Sequence, residues 1–212
     1  METIKLSLKD HSIDVVKDVL ATGGVVVFPT SNTYGLLANG LDQTSVLQIF
    51  ELKGRGRSKP LGYLSSPERA QLTGVFNDLS SRILNLWPGP LSLIVPKSQS
   101  VPHYVTTFDS ILLVCPDEMS RKLVNSVDFP IVCTSANLSG HPAIVDYNAA
   151  LATFDKKVPL IVDGGRSKHG ANGTIVDFVR DVPTVLRVGP FPMEKLQEVM
   201  PNLVLADKLL PN

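Results

Sequence analysis

The chain has 212 residues, 43% of them hydrophobic, and 20 lysines plus arginines against 20 aspartates plus glutamates. That length suits one large core, and the balanced charge excludes the global positive field of a nonspecific nucleic-acid coat, so phosphate or nucleic-acid binding has to come from a local basic patch. No apolar run approaches the roughly 20 residues of a membrane span, and "METIKLSLKD" lacks a signal-peptide apolar region, so a cytoplasmic protein is expected.

Apolar runs and amphipathic segments alternate along the chain. "HSIDVVKDVLATGG" places Ile13, Val16, Val19 and Leu20 at helical spacing and closes on Gly23 and Gly24, which suit a helix C-cap. "VVVF" at 25–28 reads as a buried strand, and "TSVLQIFELKG" as a helix N-capped by Thr44 or Ser45, with Val46, Leu47, Ile49 and Phe50 inward. Further strands are predicted at 91–95, 111–114, 131–133, 160–162, 174–179 and 184–187, and helices near 80–87, 117–126, 146–153 and 192–199. Cys115 and Cys133 end apolar runs; two cysteines make neither a structural zinc site nor a disulfide framework, and both read as reduced core residues. Without repeats, linkers or charge blocks, one mixed α/β domain over 1–212 is the simplest account.

Three stretches call for chemistry. "FPTSNTYGLLANG" at 28–40 starts as a strand and breaks into hydroxyls, an amide and a tyrosine, after which its glycines let the chain turn away. "LKGRGRSKPLGYL" sets Lys53, Arg55, Arg57 and Lys59 among small residues with no acid between them, and Pro60 with the apolar run behind it ties this basic loop to a strand. "FPIVCTSANLSG" empties a strand into Thr134, Ser135, Asn137 and Ser139. Taken alone, the basic loop reads equally as a solvated surface loop, and each strand end reads first as a turn with capping residues. Two similar strand ends beside a basic loop point instead to one polar cleft for a phosphate-bearing ligand, beyond the carboxyl ends of strands. A GxxxxGK[ST] loop, GxGxxG, HExxH and GxSxG are all absent, and His11, His103, His141 and His169 are scattered.

The ordered motifs "FPTSNTYGL", "LKGRGRSKPL", "WPGPLSLIV" and "TSANLSG" resemble those of the YrdC family, over about residues 12–190. That resemblance implies an α/β fold, a twisted open mixed sheet with flanking helices and a concave basic face, in a single-domain form. It also implies L-threonylcarbamoyladenylate synthesis: L-threonine and bicarbonate give a carbamate, which attacks the α-phosphorus of ATP and releases pyrophosphate. The product would go to a partner transferase for t6A37 modification of tRNA. No protein nucleophile is needed; fixed positive charge and orientation carry the catalysis.

Carried over residue by residue, the resemblance assigns Lys53 and Arg55 as catalytic groups that offset phosphate and carbamate charge. Thr30, Asn32, Tyr34, Ser135 and Asn137 would bind the amino-acid substrate, while Lys59, Thr134, Ser135, Asn137, Thr174 and Arg187 would bind ATP. Mg²⁺ would ride on the ATP, with no dedicated protein metal site. The sequence departs from the family wording at Ser31 and Asn32 after the Pro-Thr pair, at Val114 where an arginine often stands, at Asn172 and Gly173 before Thr174, and at Val188 in "RVG". Each change removes a polar group from the implied cleft, and a buried hydrogen-bond partner is worth about 1–3 kcal/mol. Two alternatives stand beside the synthase: a divergent YciO-like paralogue with an altered substrate, and a module holding double-stranded RNA or tRNA by shape without synthase activity. Trp87 is the only tryptophan and aromatics are 6%, so base-stacking platforms are scarce.

Overall fold

A computed structural model describes residues 2–9, 11–57 and 59–211. The order of elements is β1 (Ile4–Ser7), α1 (Ser12–Ala21), β2 (Val26–Phe28), β3 (Gly35–Asn39), α2 (Gln43–Lys53), β4 (Gly62–Leu64), α3 (Asp78–Ile83), β5 (Leu91–Pro96), β6 (Ser110–Val114), α4 (Glu118–Asn125), β7 (Ile131–Ser135), α5 (Tyr147–Phe154), β8 (Leu160–Asp163), β9 (Thr174–Asp177), β10 (Thr184–Arg187), α6 (Met193–Val199) and β11 (Val204–Leu205). The strands join in one mixed sheet of eleven, ordered β1-β8-β2-β3-β7-β4-β6-β5-β9-β10-β11. No helix of the described residues is long and apolar enough to cross a membrane.

Because successive strand residues point to opposite faces, the register sorts the sheet into two surfaces. Ala38, Val132, Tyr63, Leu113, Leu93, Val176 and Val185 form one row across seven strands, each at most 1% exposed. They belong to the larger core, together with Val46 and Ile49 of α2, Ile83 of α3, Phe154 of α5 and Leu196 of α6. The neighbouring row, Leu37, Cys133, Gly62 and Leu112, lies on the other face. There α1 and α4 cover only part of the sheet, through Ile13, Val16, Leu20, Leu123 and Val124 packed on Val26, Phe28, Leu37 and Leu64. What they leave uncovered is a cleft.

Local signals explain most boundaries. α1 ends as its sequence predicts, with Gly23 at φ +85 and the amides of Gly23 and Gly24 returned to Leu20 O and Val19 O. α2 begins one or more residues earlier than predicted. Its N-cap is Asp42, whose carboxylate accepts from Thr44 N at 2.9 Å and from the Ser45 hydroxyl; Ser45 therefore buttresses the cap rather than forming it. The segment predicted as one helix over 80–87 is α3 followed by a 3₁₀ turn, and the strand predicted over 174–179 stops at Asp177. β1, β3 and β11 were not predicted. Gly35 does not turn the chain away: it opens β3, which pairs antiparallel with β2, and Gly40 lets the chain pass against Pro130 O, where a Cβ would stand 2.8 Å away.

Leu113, at the centre of the covered row and fully buried, supplies a test. Leu113→Ala is expected to lower stability by about 2–5 kcal/mol, read as a shift of the urea midpoint at unchanged m-value.

Candidate functional site

The uncovered sheet face forms a cavity of about 230 Å³. Its floor is the row Leu37, Cys133, Gly62 and Leu112, with Leu64, Val114 and Ser92 in the next register row. Thr30, Asn32, Tyr34, Arg55, Thr134, Ser135, Asn172, Gly173 and Arg187 are among the residues that line the rest of it. The cleft therefore spreads over the middle of the strands as well as their ends, which corrects the expectation of a site only beyond the carboxyl ends. Gly62 makes this possible: it leaves the floor bare at mid-sheet, and an added Cβ would meet Leu112 O at 2.7 Å. Cys133 is likewise not a sealed core residue; it lines the floor, with its thiol pushed up to about 12 by desolvation, whereas Cys115 is buried and both are free thiols.

The electrostatics of the lining are one-sided. Arg55 and Arg187 face the cavity, no aspartate or glutamate lines it, and neither arginine joins an ion pair among the described residues. Desolvation holds the Arg55 guanidinium below its ordinary pKa and lowers that of Arg187 to about 10. Arg55 reaches its place because Gly54, at φ +56, ends α2 in the left-handed conformation and reverses the chain. Its Nε donates to Lys59 O at 3.2 Å and its Nη2 to Pro60 O at 2.9 Å, which folds the basic loop onto itself. Arg187 Nε donates to Gly173 O at 2.9 Å. Two partly desolvated guanidiniums without a carboxylate partner form a site that an anion would complete.

Lys53 lies behind the cleft rather than in it. The residue is 1% exposed, and its Nζ donates to Ser135 O at 2.5 Å, Asn137 O at 2.9 Å and Asn137 Oδ1 at 2.8 Å. Burial, then the charge of Arg55, pushes its pKa down to about 7. All three ammonium protons are thus directed at the turn after β7. Asn137 is equally engaged: Oδ1 also accepts from Ser135 Oγ at 2.6 Å, while Nδ2 donates to Leu138 O at 3.0 Å and His141 O at 2.6 Å. Neither side chain lines the cavity, so the structure places both as builders of the turn that presents Thr134 and Ser135.

The other assigned residues divide in the same way. Thr30 lines the cavity, but its hydroxyl donates to Thr33 O at 2.7 Å and accepts from the amides of Asn32 and Thr33, so it shapes the loop. Tyr34 Oη donates to Gly165 O at 2.8 Å and accepts from Gly164 N at 3.1 Å; desolvation raises its pKa to about 12. Ser31 turns its hydroxyl to Pro116 O, and its amide donates to Asp117 Oδ2. Thr174 is fully buried and accepts from Gly189 N at 2.9 Å, outside the lining; Lys59 is exposed and also outside it. Asn32, Thr134, Ser135, Arg55 and Arg187 are brought together as predicted residues that line the cleft. The floor residues Leu37, Gly62, Leu64 and Leu112 were missed, although strand alternation through "PLGYL" and "SILLV" carried the signal.

The cleft on the open face of this mixed α/β sheet carries two guanidiniums and no lining carboxylate among the described residues, a composition suited to an anion. The Sua5/YciO/YrdC family model, described as "Telomere recombination", matches residues 18–189. A threonylcarbamoyl-AMP synthase of Pyrococcus abyssi is 33% identical over 202 residues, which are 93% of this chain and 59% of that protein. The structure of P. abyssi Sua5 complexed with L-threonine superposes with a TM-score of 0.87 at 31% identity, covering 97% of this chain and 62% of that one. Escherichia coli YciO shares the fold, with a TM-score of 0.79 at 20% identity and coverage of 91% and 97%. The chain belongs to the Sua5/YciO/YrdC family. It spans about 59% of the length of the first curated relatives it matches.

The Lys53 clamp yields a prediction. Lys53→Met keeps an unbranched apolar stem but removes the amine that donates to Ser135 O, Asn137 O and Asn137 Oδ1. Stability is expected to fall by about 1–3 kcal/mol, read as a shift of the urea midpoint.

Proposed function

We propose that the chain is an L-threonylcarbamoyladenylate synthase, a nucleotidyltransferase acting on ATP, L-threonine and bicarbonate in tRNA t6A37 modification. The observation that carries this reading is the cleft itself: two desolvated guanidiniums, Arg55 and Arg187, no lining carboxylate, and an apolar floor bared by Gly62. The name of the P. abyssi relative and the threonine bound in its Sua5 structure support the choice of reaction.

In this mechanism the threonine amine adds to carbon dioxide derived from bicarbonate, forming a C–N bond and losing a proton. A carbamate oxygen attacks the α-phosphorus of ATP, and the bond from that phosphorus to the bridging oxygen of the β-phosphate breaks, releasing pyrophosphate. Arg55 and Arg187 offset the charge of the two anions that must meet, the largest barrier to this reaction. Thr134 and Ser135 supply hydroxyls and backbone dipoles at the end of β7, and the clamp of Lys53 on Asn137 holds them in place. Thr30 and Tyr34 set the loop that carries Asn32 to the amino-acid end. Mg²⁺ would be held by the phosphate oxygens of ATP. The adenylate product would pass to a transferase that modifies tRNA.

A changed amino-acid substrate, as in a YciO-like paralogue, is the second reading. Four departures from the family wording, Asn32, Val114, Asn172 and Gly173, all line the cavity, and this favours it. Pyrophosphate release from ATP with bicarbonate, screened one amino acid at a time, decides between them. Threonine-dependent release that falls at least about 10²-fold in Arg187→Met and Arg55→Met supports the synthase. Release with another amino acid supports the altered substrate, and ATP binding without release under any amino acid overturns both.

A further inference from the structure

Gly173 touches both ends of the cleft. A Cβ built on it would stand 2.8 Å from Pro90 O and 3.1 Å from Asn32 Nδ2. The Asn32 side chain makes no hydrogen bond among the described residues, and its Oδ1 is buried without a partner. With no hydrogen bond to fix it, that carboxamide lies close enough to Gly173 that a Cβ there would crowd it. The carbonyl of the same glycine accepts from Arg187 Nε at 2.9 Å. Residues 172–174 and 187–189 are also in close backbone contact: a Cβ on Gly189 would lie 2.5 Å from Asn172 O and 2.6 Å from Thr174 N, and Gly189 N donates to Thr174 Oγ1 at 2.9 Å. A Cβ at residue 173 would meet the fixed backbone of Pro90 on one side and the Asn32 carboxamide on the other, so it cannot be accommodated without displacing one of them.

We propose that Gly173 is a positioning residue that joins the amino-acid and nucleotide ends of the cleft, its missing side chain admitting the Asn32 carboxamide and its carbonyl aiming the Arg187 guanidinium. The proposal rests on the functional reading above for the identity of the two ends. In this chain the carboxamide at 32 takes up part of the space that a side chain at 173 would need.

The test is calorimetric titration of ATP into the wild type, Gly173→Ala and Asn32→Ala/Gly173→Ala, alongside circular dichroism and thermal unfolding. Gly173→Ala is expected to weaken ATP binding at least about tenfold while remaining folded, because a small misplacement of an oriented charge is costly. The double variant is expected to regain at least about threefold, since removing the carboxamide relieves one of the two collisions. A purely structural glycine would lower the melting temperature and leave the ATP affinity of the folded protein unchanged. That outcome, or a double variant no better than the single one, overturns the proposal.

If Gly173→Ala does not fold, Asn32→Ala carries the test through the Nε–H resonance of Arg187 in arginine-labelled protein, assigned by its loss in Arg187→Lys. A shifted resonance supports the connection, and an unmoved one overturns it. Failure of the functional reading shows separately: ATP binding that responds to Gly173 without amino-acid-dependent pyrophosphate release leaves the positioning role standing. A wild type that binds no ATP overturns both.

Discussion

A buried ammonium group holds the site together. Lys53 closes α2 on the fully covered side of the molecule and sends its three protons to the backbone and amide oxygens of the turn after β7. An amine so poorly solvated survives only because every donor is met, and the turn keeps its shape only because the amine is there. Ser139 N returns a bond to Lys53 O at 2.7 Å, so helix and turn are stitched in both directions. From this joint the chain runs two ways into the cleft: through Gly54 to Arg55, and through Ser135 and Thr134 into β7.

The sheet supplies the second constraint. One face is sealed by four helices and a row of side chains that no solvent reaches; the other is sealed only where α1 and α4 lie. The cleft is the part of this second face without a helix, and Gly62 keeps its middle empty. Positive charge then enters from opposite ends of the sequence, with Arg55 after α2 and Arg187 at the end of β10. Both guanidiniums are partly desolvated and lack a carboxylate partner among the described residues, which favours an anion in the cleft. On the proposed function, catalysis would rest on position and field rather than on a nucleophile.

Much of this was legible in the sequence, for reasons that can be stated. The helices α1, α2 and α4 show apolar spacing with clear punctuation, and β2, β5, β6, β7 and β8 are short apolar runs bounded by turn residues. β3 was hidden because the glycines of its stretch read as letting the chain turn away, and β11 because two exposed residues carry no pattern. Arg55, Arg187, Asn32, Thr134 and Ser135 were found through motif order. The roles of Lys53, Asn137, Thr174 and Tyr34 were not legible in the same way, because a motif names a residue without saying whether its polar atoms face ligand or protein. Hydrogen-bond geometry answers that: the amine, the amide and both hydroxyls are engaged by backbone and by one another. Cys133 shows the converse, a residue that looks like core in sequence and lies on the cleft floor because alternation puts it beside Gly62.

Hydrogen–deuterium exchange of the full chain, with and without ATP, tests most directly whether the open sheet face is the ligand site. The account predicts added protection in 131–137, 172–174 and 187–189, where the clamped turn and the two glycine-packed segments border the cleft, with little change in α3 and α6 on the sealed face. Protection confined to the sealed face or to the outer surface of α4, with none in those three segments, would contradict it.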